Sequence, residues 1–149
     1  MLADAVVILP YIALGVVVLG WFVSNHQANA REDRKEARSL VDGAKKLVSQ
    51  VAEDSLAYLC HGEANLAVRI TSTLETLEVE LQRVPSFTIP ASRLMAALVA
   101  FQDATTGGDF ETAHPVKRTL QSAEVAAVLR TRNALHAELE RQYKEEYSL

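Results

Sequence analysis

Three side chains near the end of the chain have the types and spacing that chemistry on a phosphodiester would need. Arg130 lies six positions before His136, and Arg132 lies four positions before it. On a helix, Arg132 and His136 share a face, whereas Arg130 and His136 are about 240° apart. An arginine and a histidine can together position and protonate an RNA 2′-hydroxyl or a phosphodiester. An ordinary salt-bridged helix surface has the same pattern, and both interpretations stay open.

The segment from Arg130 to His136 resembles the Arg-x4–6-His motif of HEPN ribonuclease domains. Those domains are small helical bundles, and a polar residue usually follows the arginine of the motif, as Thr131 does here. The resemblance implies a ribonuclease in which Arg130 and His136 are the catalytic pair and RNA is the substrate. It covers one helix and extends to no other residue of the chain.

The other reactive side chains form no recognisable catalytic or metal-binding pattern. The chain has four histidines, no two of them within one helical turn: His26, His61, His114 and His136. Cys60 is expected to be a buried core thiol, because free cysteine is among the most often buried residue types. Glu53 and Asp54 are neighbours that point in different directions from a helix, which is typical of a solvated surface. We expect no metal and no cofactor, and the pattern favours a protein that is not an enzyme.

The composition of the chain limits its partners. Its 149 residues carry 15 Lys and Arg against 19 Asp and Glu, a formal net charge of -4. Proteins dedicated to binding nucleic acid usually have an excess of basic residues, so no DNA partner is expected, and RNA only as a ribonuclease substrate. The single cysteine excludes an internal disulfide framework.

The beginning of the chain is strongly apolar. Residues 5–23 contain no charged side chain, and a helix of that length is about 28 Å long, close to the thickness of a bilayer core. This pattern predicts a transmembrane anchor over residues 1–25. Two alternatives are a cleaved signal peptide, for which residues 28–30 resemble a cleavage site, and a buried helix of a soluble protein. No basic residue precedes the apolar run, which argues against a signal peptide.

Basic residues follow the apolar run and none precedes it. Arg31, Arg34, Lys35 and Arg38 lie in a charged segment, residues 26–39, which we expect to form a juxtamembrane stalk. The positive-inside rule then predicts a single-pass inner-membrane protein with its N-terminus outside and its C-terminal domain in the cytoplasm. The same four side chains could contact anionic lipid head groups, although the acidic residues between them weaken that attraction.

Residues 40–149 are expected to form a cytoplasmic bundle of about four helices. Apolar residues recur with the helical period over about 40–61, 63–84, 91–104 and 116–147, and no segment shows the alternation of a strand. The fold class is therefore predicted to be all-α, with one N-terminal transmembrane helix followed by the bundle. Gly62 is expected to end the first bundle helix in a left-handed conformation.

Two of these helices have clearly predicted buried faces. The helix beginning near residue 91 is expected to bury Leu94, Met95, Leu98, Val99 and Phe101. The last helix is expected to bury Leu120, Val125, Val128, Leu129, Leu135, Leu139 and Tyr143. The glycines at 107 and 108 lack the spacing of a phosphate-binding loop, so we interpret them as a helix–helix connector with Phe110 as its anchor.

The layout of the whole chain resembles small single-pass membrane proteins of bacterial phage-defence loci, including the membrane-anchored accessory proteins of RNA-targeting CRISPR effectors. That resemblance implies an antiviral setting and assembly in the membrane. A single span without polar residues cannot conduct ions, so several copies would have to pack together. Ala13, Gly15 and Gly20 are the small residues available for contact between spans.

Three functional hypotheses follow. The first is a membrane protein whose helical bundle mediates self-association or partner binding and which perturbs the membrane as a defence or stress effector. The second is a membrane-tethered ribonuclease that uses Arg130 and His136. The third is an accessory or scaffold subunit of a larger membrane complex.

Overall fold

The computed structural model describes residues 2–83, 91–108, 110–112 and 116–147. They form four helices, α1 (Leu2–His61), α2 (Leu66–Gln82), α3 (Ala91–Thr106) and α4 (Ala123–Tyr147). No strand occurs in these residues, so the prediction of an all-α protein is confirmed. The chain divides into two compact units, Met1–Glu36 and Ala37–Leu149.

The prediction of a transmembrane helix at residues 1–25 is corrected. Among the described residues, no helix is long and apolar enough to cross a membrane. The apolar side chains described in the first unit are few and include Val17, Val18, Leu19 and Trp21, and charged residues begin at Arg31 of the same helix. A span needs about 20 consecutive apolar residues. The side chains of residues 2–16, 20, 22 and 23, on which most of that prediction rested, lie outside the described ones.

The second unit is organised around one apolar stripe of α1. The stripe has the spacing of a single helix face, and its buried members are Val41, Ala44, Val48, Val51, Ala52, Ser55 and Tyr58. Gly62 ends the helix with φ of 71°, and its N–H donates to the carbonyl oxygen of Tyr58 at 3.0 Å. This confirms the predicted left-handed cap, a conformation that glycine adopts without a steric penalty.

A charged pair connects α1 to α2. Asp54 is buried, and its carboxylate accepts hydrogen bonds from both Nε and Nη2 of Arg69. The expectation that Asp54 lies on a solvated surface is therefore wrong, whereas its neighbour Glu53 is exposed. Periodicity could not reveal the pair, because the buried carboxylate depends on a cation from another helix.

The helix α3 buries only part of its predicted face. Leu94, Leu98 and Phe101 are buried in the core, and α3 packs along α4. Met95 and Val99 were expected to be buried with them but are 44% and 48% exposed. Each follows a buried leucine by one residue, and a step of about 100° around the helix turns its side chain away from the core.

The last helix begins later than predicted. Arg118 donates its backbone N–H to the carbonyl oxygen of Leu59 at 2.7 Å, and this hydrogen bond holds the segment before α4 against the end of α1. The Ser122 hydroxyl then accepts from the Val125 N–H at 3.3 Å, and α4 starts at Ala123. A serine at this position supplies the acceptor that the first N–H groups of a helix lack. Leu120 therefore precedes the helix and is 70% exposed, so its predicted burial is wrong.

Replacing Leu77 by alanine tests this core. Leu77 is fully buried on α2, so we expect Leu77→Ala to lower the free energy of unfolding by about 2–5 kcal/mol. Val68 lies on the same helix and is 75% exposed, and Val68→Ala should change that free energy by no more than about 0.5 kcal/mol. Urea titration followed by circular dichroism measures both. Equal losses in the two variants would contradict the packing described for α2.

Candidate functional site

His136 is the main catalytic candidate in the sequence. It lies in a polar seam between α1 and α4. This α1–α4 seam consists of Arg38, Lys45 and Ser49 from α1 with His136 and Glu140 from α4. His136 and Glu140 are four residues apart on α4, which brings them to one face. The three α1 members follow one another at spacings of seven and four residues, or about two turns and one turn, so they also share a face.

Glu140 is the carboxylate that binds both cations of the seam. Its carboxylate accepts from Lys45 Nζ at 2.7 Å and from Arg38 Nη1 at 3.0 Å. These two hydrogen bonds lower the pKa of Glu140 to about 2. Arg38 also pairs with Asp42 at 2.9 Å and lies 5.3 Å from the centre of the Tyr143 ring. The charged groups of the seam are therefore partnered by one another.

His136 is held as a neutral imidazole. Its Nε2 lies 3.1 Å from the carbonyl oxygen of Lys45 and 3.5 Å from Ser49 Oγ. A carbonyl oxygen only accepts hydrogen bonds, so Nε2 carries the proton and Nδ1 is the basic nitrogen. Burial lowers the pKa of His136, and the positive charges of Lys45 and Arg132 lower it further. The backbone hydrogen bond and Glu140 oppose these effects only in part.

The structure does not bring Arg130 to the side of His136. Both belong to the regular helix α4, which keeps them about 240° apart, and Arg130 is exposed. The arginine that acts on His136 is Arg132, whose guanidinium also donates to Asn133 Oδ1 at 3.0 Å. An RNA backbone held by Arg130 would thus face a different side of the helix from the imidazole. The ribonuclease hypothesis stays a prediction.

The residues predicted for lipid contact lie in different surroundings. Arg31 is exposed, and Lys35 forms an exposed ion pair with Glu32 at 3.3 Å. Arg34 is half-buried, and Arg38 is committed to the α1–α4 seam. The small residues predicted for contact between spans belong to α1, and their surroundings lie outside the described side chains: Ala13, Gly15 and Gly20.

A second candidate site is a cavity of about 230 Å³ where the end of α1 meets the connector between α3 and α4. The rings of Tyr58 and Phe110 meet in its wall with centroids 5.3 Å apart, so Phe110 anchors the connector as expected. The charged residues of its lining are Asp103 and the pair Arg118 and Glu124, which are 3.4 Å apart. This cavity was not predicted from the sequence, in which the one available signal was an aromatic residue two positions after the glycine pair.

Neither site has a counterpart among known proteins that would define its chemistry. No protein-family model matches the chain, and no curated protein or solved structure matches it. No group of three His, Cys, Asp or Glu residues placed to hold a metal ion occurs in the part of the chain that the structure describes.

The lowered pKa of His136 predicts a pH dependence of stability. An unfolded histidine takes up its proton near pH 6.5, and the folded protein takes it up only at lower pH. Acidification from pH 7 to pH 5 should therefore lower the free energy of unfolding, by at most about 1.4 kcal/mol per pH unit for one proton. Glu140 contributes little in this window, because its stabilisation is lost between about pH 4.5 and pH 2.

The variant that tests this is His136→Gln, which keeps a donor for the Lys45 carbonyl oxygen. Denaturant titrations at several pH values should show a smaller loss of stability between pH 7 and pH 5 than in the native chain. His61→Gln, at an exposed histidine, is the matched control and should keep the native slope. An unchanged slope in His136→Gln would show that the imidazole is not held neutral by the fold.

Incubation with labelled RNA tests the ribonuclease alternative. Because Arg130 and the imidazole of His136 lie on different sides of α4, we expect the purified chain to leave RNA intact. Cleavage that disappears in both Arg130→Ala and His136→Ala, with melting temperatures unchanged, would establish the alternative. Arg132→Ala is the internal control, since Arg132 is the arginine near the histidine.

Proposed function

We propose that the unit Ala37–Leu149 is a protein-association module that brings several copies of the chain together. The observation that carries this is a set of large apolar side chains left exposed on a unit that already has a packed core: Val68, Val79, Met95, Val99, Val116 and Leu120. Exposed apolar side chains that cluster on one surface mark interaction sites in soluble domains.

These side chains are not scattered evenly over the unit. Val68 and Val79 are eleven residues apart on α2, which is about three turns, so they share one face of that helix. Met95 and Val99 are one turn apart on α3. Full burial of an exposed side chain of this size is favourable by about 1.5–3 kcal/mol, and these side chains, which are 44–75% exposed, would gain the corresponding fraction. Several of them together can offset the entropy that association costs.

The polar groups of the unit support association over catalysis. In the α1–α4 seam, Glu140 is already bonded to Lys45 and Arg38. His136 uses Nε2 to bind a backbone carbonyl oxygen. A catalytic acid or base needs a free position within hydrogen-bonding distance of a substrate. In this seam the charges instead connect α1 to α4.

The cellular setting stays a prediction. Location at the inner membrane is supported by exposed apolar side chains in the first unit, Val17, Val18, Leu19 and Trp21. A role in antiviral defence or stress rests on the resemblance in layout to phage-defence proteins. A scaffold subunit of a larger complex is the alternative, and it would co-purify with another protein at a fixed ratio.

The mass of the full chain in solution tests the proposal. We expect light scattering, with and without mild detergent, to give a particle larger than the 16.3 kDa of one chain. Serine at the six exposed apolar positions of the second unit should yield single chains, because the buried interface area is lost while the core is kept. Fractionation of the same cells should place the native chain with the membranes.

The matched control is Glu75→Gln with Glu78→Gln, which changes exposed polar residues of α2 and should leave the mass unchanged. A native particle of one chain would contradict self-association. An unchanged particle after the six substitutions would show that these side chains do not form the interface.

A further inference from the structure

The helix α3 is apolar on two sides, and only one of them has a partner within the chain. Leu94, Leu98 and Phe101 enter the core. A second set of exposed side chains, Met95, Ala96, Val99 and Ala100, forms what we call the α3 outer face. These four lie within an arc of about 140°. A helix that is apolar around most of its circumference is normally buried, so the α3 outer face lacks a cover.

The shape of the α3 outer face suits another helix. Ala96 and Ala100 are one turn apart and have small side chains, which lets a second helix approach closely. Met95 and Val99 project beside them and would fit between the side chains of that helix, as ridges fit into grooves. The face is interrupted by no charged side chain between residues 94 and 102.

The charges at the two ends of the α3 outer face indicate that the second helix is α3 of another copy. Arg93 precedes the face and Asp103 follows it, and both side chains are exposed. They are ten residues apart, which is about 15 Å along the helix. Two copies of α3 related by a two-fold axis beside residue 98 would run antiparallel. Arg93 of each copy would then lie opposite Asp103 of the other, and Ala96 opposite Ala100.

A parallel arrangement lacks this match. It would place Arg93 beside Arg93 and Asp103 beside Asp103, and like charges facing each other are unfavourable. Within its own chain Arg93 lies near α4, where Arg141 and, more weakly, Arg93 lower the pKa of Glu138. Arg93 is thus at the edge of the outer face, where an ion pair can form around an apolar contact.

We propose that two copies of this chain associate through the antiparallel contact of their α3 outer faces, with Arg93 and Asp103 as reciprocal ion pairs at the two ends. This inference rests on the proposed self-association and names the surface that carries it. A two-fold contact of this kind buries the same patch on both copies, which is the commonest symmetry among homo-oligomers.

Substitution within the face is the first experiment. Val99→Glu in the full chain should weaken the dimer about 100-fold, because two copies of the valine are removed from the contact and two charges are introduced. Ala126→Glu places the same charge at an exposed alanine on α4, outside the six exposed apolar positions, and should leave the α3 contact intact. Analytical ultracentrifugation measures both, and circular dichroism verifies that the helices are retained.

Charge reversal is the second experiment, because reversing both residues restores the ion pairs that reversing one of them removes. Arg93→Asp and Asp103→Arg should each weaken the dimer, because each places like charges opposite one another. The double variant R93D with D103R should regain the native association. Arg93→Asp also places a carboxylate near Glu138 of the same chain. Asp103→Arg would not relieve that repulsion, so rescue of the dimer by the double variant identifies the contact between copies.

Cross-linking then reports the register of the contact. In a Cys60→Ser background, a mixture of A96C and A100C chains should form a disulfide-linked dimer under mild oxidation. Either chain alone should cross-link much less. Cross-links in A96C alone and A100C alone, with none added by mixing, would indicate a parallel contact and overturn the proposal.

The outcomes separate this inference from the proposed function. A native chain of single-chain mass would overturn both. A native oligomer that survives Val99→Glu and both charge reversals would overturn the α3 contact only, and association through the other exposed apolar side chains would stand.

Discussion

The second unit depends on the burial of one stripe of α1. Val41, Val48 and Val51 are fully buried, and the apolar cluster around them includes residues of α2, α3 and α4. Each of the three shorter helices would be marginal in water by itself, because most helical stability in proteins comes from packing. The stripe of α1 therefore provides the surface on which the other helices are ordered, and both the polar seam and the α3 outer face are consequences of that packing.

The ion pairs between the helices are built in the same way. Asp54 pairs with Arg69, and Glu140 pairs with Lys45 and Arg38. In each case a carboxylate near the core is matched by cations from a neighbouring helix, which avoids the cost of an unpaired buried charge. Such pairs determine which helix faces which, but they leave little free chemistry.

The helix α3 differs from the others in having apolar side chains on two sides. Its inner side belongs to the core, and its outer side exposes Met95 and Val99 with small residues beside them. A monomer gains nothing from exposing these side chains, whereas a dimer would remove them from water. The same property explains why they were predicted to be buried, since the sequence does not distinguish between a cover within the chain and a cover from a second copy.

The local patterns of the sequence determined the helical segments and the Gly62 cap, because a 3.6-residue period and a left-handed glycine depend only on nearby residues. Tertiary structure decided the rest. It placed Asp54 against Arg69, started α4 after Leu120 and put His136 beside the carbonyl oxygen of Lys45. Periodicity gives the direction of a side chain around its own helix, and only the packing of several helices decides what that side chain meets.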